Sequence, residues 1–249
     1  MIPPRVEVLL ITGGPWHDMD HARLELLGLM AEIECLRVTV KDSYDPAAIA
    51  AADMIVTYTC DMVPQAQALD ALDGFFARGG RWFALHGTNS AMILEGDDPV
   101  VCPPLPDRVR AMLGSQFAAH PAPGQFKVKP TGDAHPLVAG IEPFRVEDEQ
   151  YLQWHEPGNR VLLTTTFAGD TPLFQTQHWD RSAHQVMYLR DIGAGALLYL
   201  TLGHTRGRYD MRPITDEYPF VERGSWPHPV FRELVRRGLR WGAKEEHFA

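Results

Sequence analysis

Apolar positions in the first third of the chain gather into short unbroken runs separated by stretches of helical periodicity. The run Val6 to Thr12 is nearly continuous in apolarity, which suits a strand covered on both faces, as strands of parallel sheets are. After the Gly13-Gly14 turn, residues 20–33 set Leu24, Leu27 and Met30 on one face and predict a helix capped by Asp20. Residues 37–40, 53–59 and 81–87 predict further strands, and residues 64–80 a helix that begins at Pro64 and ends at Gly79. This βαβαβαβ order implies a parallel open sheet.

The middle of the chain changes character. Asp97 to Asp107 holds four prolines in eleven residues, so a loop-rich insertion with short helices is expected over roughly residues 95–125. Strand patterns return at residues 125–130, 160–167, 184–191 and 196–203. A last helix, residues 229–243, gathers Phe231, Leu234, Val235 and Leu239 on one face. The sequence contains no repeat, low-complexity segment or linker, which predicts one domain over residues 1–249.

Charge narrows the partners. A net charge of -9 and a pI near 5.6 give no field that attracts phosphate backbones or anionic lipid, so nucleic-acid and membrane partners are not expected. The N-terminus lacks the architecture of a signal peptide, and no apolar run reaches the length of a membrane span. Cys35, Cys60 and Cys102 are odd in number and lack metal-type spacing, as expected of reduced thiols, which predicts a cytoplasmic protein. Gly13-Gly14-Pro15 lacks the third glycine of a dinucleotide fingerprint and no Walker-type sequence follows a strand, so no nucleotide cofactor is expected.

Ligands of open α/β sheets sit outside the carboxyl ends of the strands, and three histidines fall at such ends. His17 follows the first predicted strand, His86 the fourth and His204 the last. A histidine in a turn is often simply solvated or bonded to a backbone carbonyl, but three at equivalent places shift the balance toward a site. His120 and the pair Asp148-Glu149 lie in sequence that can fold over the same edge. Imidazole and carboxylate together suit zinc or another divalent ion, although their spacing alone is too dispersed to be a metal motif. Trp154, Trp179 and Trp226 are expected in loops, where their rings either stack on sugars or pack beneath the chain. Arg236, Arg237 and Arg240 read as solvated charge on the last helix.

Several stretches together carry a resemblance: the opening "VLLITGGPWHD", "GGRWFALHGTNSA", an F-x-x-H-P at Phe117 to Pro121, a D-E-x-Y at Asp148 to Tyr151, an L-G-H at Leu202 to His204, and the closing "HPVFRELVRRGLRWGA". In this order they resemble the ThuA-like family, named for trehalose utilisation, over nearly the whole chain. The resemblance implies a flavodoxin-like three-layer α/β/α sandwich with a mostly parallel sheet, similar to class I glutamine amidotransferases. Those enzymes place a cysteine nucleophile on the turn that here carries His86, so glutaminase activity is not expected. His204 matches the position of the amidotransferase histidine.

The implied role lies in carbohydrate metabolism: hydrolysis, elimination or isomerisation on a sugar or 3-keto-sugar glycoside. His86, Glu149 and His204 are the expected catalytic groups, Asn89, Tyr151 and Arg206 the expected substrate contacts, and His17 and His120 the expected ligands of a divalent metal, zinc being the one suited to them. The alternative is a non-catalytic sugar-binding or regulatory protein on an amidotransferase-like scaffold. A metal-free hydrolase using Ser90 or Ser115 fits poorly, since neither lies in a G-x-S-x-G turn. One departure from related sequences is Met187-Tyr188 where Pro and Trp are common, and His178 and His184 in that segment are expected at the surface. A homodimer is common for such a scaffold, with Trp226, Trp241 and Phe248 expected to be exposed for it.

Overall fold

A computed structural model describes residues 4–96, 98–212, 214–245 and 248. The chain opens with β1 (Val6–Gly13), α1 (Met19–Met30), β2 (Leu36–Lys41), α2 (Pro46–Ala51), β3 (Met54–Thr59), α3 (Ala66–Ala77) and β4 (Arg81–Leu85). Alternation explains why these strands look uniformly apolar. In β1, Val8 and Leu10 enter one core while Leu9 and Ile11 enter the other, and β4 divides Phe83 and Leu85 from Trp82 and Ala84 in the same way. With both faces covered, successive side chains are all apolar.

The proline-rich middle, predicted as loop with short helices, contains α4 (Asp107–Leu113) and also a buried strand, β5 (Ser115–Ala119). Then follow β6 (Gly124–Pro130), β7 (Phe144–Asp148), β8 (Leu152–His155), β9 (Arg160–Asp170), β10 (His178–Ile192), β11 (Gly195–Leu200) and α5 (Pro229–Gly242). The nine-stranded sheet runs β2-β1-β3-β4-β11-β10-β9-β6-β7, and β5 pairs with β8 in a separate two-stranded sheet. Pairing is parallel from β2 through β11 and antiparallel from β11 to β7. Helices α1 and α5 pack on one face, through Leu26, Leu29, Phe231 and Leu234. Helices α2, α3 and α4 cover the other, through Ile49, Leu72, Phe75 and Met112. This is a three-layer α/β/α sandwich of the flavodoxin type. No helix among the described residues is long and apolar enough to cross a membrane.

Packing corrects several sequence expectations. Asp18, not Asp20, caps α1, accepting from the His21 amide at 3.0 Å. The buried face of α1 is Ala22, Leu26, Leu29 and Met30, and Leu24 is 70% exposed. Leucine lies nearly all round this helix, so its periodicity supports two stripes; the small Ala22 lets the chosen one approach the sheet. Trp226 and Trp241 are buried rather than exposed, Trp226 donating to the Gly203 carbonyl and Trp241 lying under Arg81. Trp154 and Trp179 belong to β8 and β10, not to loops. His178 is exposed as expected, but His184 is buried on β10 against Trp179.

Gly238 shows how closely α5 lies on the sheet, because a Cβ there would overlap the Phe83 ring. Helix propensity alone gives Gly238→Ala a gain of about 1 kcal/mol. The overlap reverses the sign: Gly238→Ala is expected to lower stability by about 1–3 kcal/mol, read from denaturant unfolding.

Candidate active site

Three turns at the carboxyl edge of the parallel strands bring the histidines in. After β1, Gly14 adopts φ +117°, and a Cβ there would overlap the Cys60 carbonyl oxygen, so glycine lets this loop lie on the end of β3. Trp16 and His17 follow. After β4, His86 itself takes φ +48°, a left-handed conformation costing a non-glycine residue about 1–3 kcal/mol. A buried network holds it there. The Tyr199 hydroxyl donates to the His86 carbonyl at 2.6 Å and accepts from the Asn89 amide at 3.0 Å, and Thr88 Oγ1 donates to the Leu85 carbonyl at 2.8 Å.

Glu149 arrives from β7, four places beyond β11 in the sheet. The antiparallel half therefore curls back over the end of β11, and Asp148 fastens it there. Its buried carboxylate accepts four backbone N–H bonds, from Glu149 (2.8 Å), Gly203 (2.9 Å), His204 (3.0 Å) and Ser225 (3.1 Å). One side chain thus sets Glu149 and His204 side by side.

His17, His86, Glu149 and His204 each offer one ligand atom, and these atoms all lie within 4.8 Å of one another. His86 Nδ1 donates to the Thr201 carbonyl at 2.9 Å, which leaves Nε2 to accept from the Tyr151 hydroxyl at 3.1 Å and to face Glu149 Oε2 at 3.4 Å. His204 Nε2 donates to Glu222 Oε2 at 2.8 Å, and its Nδ1 stands 3.2 Å from Glu149 Oε1 without the alignment of a hydrogen bond. Arg206 bridges the two carboxylates, to Glu149 Oε1 at 3.2 Å and Glu222 Oε2 at 3.0 Å. His120 Nδ1 donates to the Pro121 carbonyl at 2.7 Å, and Nε2 lies 3.6 Å from Glu149 Oε1.

Burial and neighbouring charge divide the titration of these groups. Burial drives His17 well below its ordinary range, and His86 beside it adds to the shift. His120 is lowered by burial too, against the pull of Glu149. Burial works against a charge on His204, but Glu149 and the Glu222 hydrogen bond outweigh it and raise the group to about 9. Burial also opposes ionisation of Glu149, yet His120 and His204 hold its carboxyl well below the usual range. Glu149 is therefore an ionised carboxylate beside a cationic His204 and the neutral imidazoles of His17 and His120.

Above it opens a cleft of about 370 Å³, whose floor includes His17, His120, Glu149, Tyr151 and Arg206. Trp16 Nε1, His17 Nδ1 and Arg206 Nε are buried without partners on its lining, and His204 Nδ1 is unpartnered beside it. Three imidazoles and a carboxylate form a donor set suited to Zn²⁺; His17 has an unpartnered nitrogen, while on binding an ion His204 would give up its Nδ1 proton and His86 Nε2 its hydrogen bond from Tyr151. The residues present fit such an ion. The sequence-based grouping differs in detail: His17 groups with His86, Glu149 and His204, while His120 stands outside this set.

Of the three residues expected as substrate contacts, Tyr151 and Arg206 line the cleft. Asn89 does not: it is fully buried below the turn and donates to Ser115 Oγ at 2.7 Å. Ser90 is likewise sealed, bonded to the Gly87 carbonyl and the Asp61 amide. Sequence reasoning missed Glu222, the carboxylate behind His204. The available signal was the long span between β11 and α5, since extended connections in compact folds are commonly functional.

Two measurements check this geometry. Asp148→Asn leaves amide donors facing an NH₂ group and is expected to cost about 2–4 kcal/mol of stability in denaturant unfolding. The sign of the pH dependence follows from the shifts. The raised His204 contributes stability fully present below its unfolded value near 6.5 and lost as pH rises through about 9. The lowered His17 contributes stability present above 6.5 and lost as pH falls through its folded value. Unfolding of the metal-free protein should show Glu222→Gln shrinking the alkaline loss selectively, with His204 titrating lower by NMR.

Comparison with known proteins agrees with this architecture. The family model ThuA, described as trehalose utilisation, matches residues 7–216. A ThuA-like protein from Parabacteroides merdae ATCC 43184 superposes with TM-score 0.65 at 16% identity, covering 96% of this chain and 90% of that one. A second, from Bacteroides uniformis ATCC 8492, gives TM-score 0.68 at 14% identity, with 98% and 94% covered. The β-galactosidase of Rahnella sp. R3 holds a similar fold in 31% of its length, at 13% identity and TM-score 0.59 over 96% of this chain. No curated protein matches in sequence. With the family model spanning most of the chain and its fold shared by two ThuA-like structures, this protein belongs to the ThuA family, related to trehalose utilisation.

Proposed function

We propose that the protein is an enzyme of sugar metabolism that moves a proton on a 3-keto-sugar glycoside and releases the group on its glycosidic oxygen, with a divalent ion in support. The observation that carries this is the convergence of His17, His86, Glu149 and His204 within 4.8 Å, two of the imidazoles having unpartnered nitrogens. The family description supports a carbohydrate substrate. These four residues would hold the ion, which when bound supplies Lewis acidity toward a carbonyl oxygen.

The remaining work falls to residues facing the cleft. His120 is kept neutral by burial, its Nδ1 proton is engaged by the Pro121 carbonyl, and its Nε2 lone pair is free. It takes the proton from the carbon next to the keto group, whose bonding pair becomes an enolate. The enolate pair then expels the glycosidic oxygen by breaking its bond to the sugar, and that oxygen receives the proton back from His120. The Arg206 guanidinium, half-buried beside Glu149, stabilises the developing charge. The Tyr151 hydroxyl lines the cleft and would turn to the sugar when the ion takes the His86 Nε2 lone pair.

Elemental analysis of purified protein should find one divalent ion per chain. Glu149→Gln should weaken its binding by more than about 100-fold, since even outer partners of metal ligands are worth about 10–100-fold. His120→Ala should keep the ion and lose about 10²–10⁴-fold in kcat on methyl 3-keto-glucoside. Protein that takes up no ion, with turnover unaffected in His86→Ala and Glu149→Gln, overturns the proposal.

A further inference from the structure

The cleft lining is mostly apolar beyond its floor, and the Tyr218 hydroxyl is bonded to Glu222 Oε1 at 3.3 Å. Above Glu149 and the imidazoles its walls are Met92, Leu94, Phe117, Leu173, Phe174 and Ile214. A chain of aromatic rings leads from floor to wall: His86 to Tyr151 at 4.4 Å between centroids, Tyr151 to Phe117 at 4.6 Å, and Phe117 to Phe174 at 5.6 Å. Phe117 and Phe174 are fixed by their own small core, whereas Leu173 and Ile214 stand 66% and 58% exposed at the cleft. Among the cleft-lining residues, unpartnered buried polar atoms belong to Trp16 (Nε1), His17 (Nδ1) and Arg206 (Nε), with His204 Nδ1 beside them.

Hydroxyl groups buried without partners cost free energy, so a second sugar ring is a poor match to walls that offer it no side-chain hydrogen bond. An aromatic or alkyl group matches them, gaining from apolar burial and from ring-to-ring contact. A volume of about 370 Å³ lies in the range of small-ligand sites. We infer that the substrate is a glycoside with an apolar aglycone, its single sugar ring bound at the His/Glu floor and its aryl or alkyl group against the Phe117–Phe174 wall. This assignment rests on the sugar reading under Proposed function. It adds that the leaving group is a phenol or alcohol and not a second sugar.

The test is equilibrium binding to the full-length, zinc-supplemented protein by titration calorimetry, with methyl glucosides, phenyl glucosides (both anomers of each) and trehalose as probes. One phenyl glucoside should bind at least 10-fold more tightly than the corresponding methyl glucoside and than trehalose. Phe174→Ala should erase that preference while leaving the methyl glucoside within about twofold. The exposed Leu173→Ser, which leaves the core intact, should reduce it in the same sense. Trehalose or methyl glucoside binding as tightly as the tighter of the two phenyl glucosides, or wall variants weakening every probe equally, overturns the apolar-aglycone inference and leaves the sugar reading standing. No glucoside binding, together with no turnover of methyl or phenyl 3-keto-glucoside, overturns both.

Discussion

A buried carboxylate that accepts four backbone amides is what the site is built on. Asp148 ends β7, and its bonds to Glu149, Gly203, His204 and Ser225 tie the edge of the antiparallel half to the loop after β11. An isolated charge in such a place would cost several kcal/mol, and oriented N–H groups compensate it in place of water. Because two of those amides belong to Glu149 and His204, the anchor also fixes the distance between the central carboxylate and its principal imidazole. The curl of the sheet, the loop after β11 and the floor of the cleft are thus one construction.

Around this anchor, charge is arranged so that each ionised group has an opposite neighbour. Glu149 and Glu222 are both carboxylates, and Arg206 lies between them while His204 joins them through its two nitrogens. His17 and His86 are buried beside this network and remain lone-pair donors, one neutral by burial and the other oriented by the Thr201 carbonyl. The left-handed turn at His86 is tolerated because the Tyr199 hydroxyl ties its carbonyl to the Asn89 amide while Thr88 bonds the Leu85 carbonyl next to it. Local strain is held by surrounding structure, as at other sites where a side chain must point off a strand end.

Much of the fold was legible. Unbroken apolar runs at β1, β3, β4 and β11 marked doubly covered strands, and the face of α5 read from Phe231, Leu234, Val235 and Leu239 is the face it buries. Where two readings were equally periodic the sequence was silent. Helix α1 carries leucine on competing faces, and only packing against the sheet left Leu24 in solvent. Strands β5, β7 and β8 were missed because they are four or five residues long and lie among prolines, glycines and charges. Trp226 and Trp241 resemble surface aromatics until α5 is placed on the sheet, Trp241 being buried as part of that helix and Trp226 against its Phe231.

The candidate site divides along the same line. The sequence by itself determined that His17, His86 and His204 sit at strand ends, because a strand's end is a local property set by where apolar alternation stops. It also marked Asp148-Glu149 and His120 as chemistry-bearing. Only the tertiary structure decided that Glu149, four strands from β11, stands among the three imidazoles, that His120 stays outside their group, and that Glu222 backs His204. Those relations depend on the curl of the sheet and on long-range hydrogen bonds between residues remote in the chain, and no local pattern of side chains encodes them.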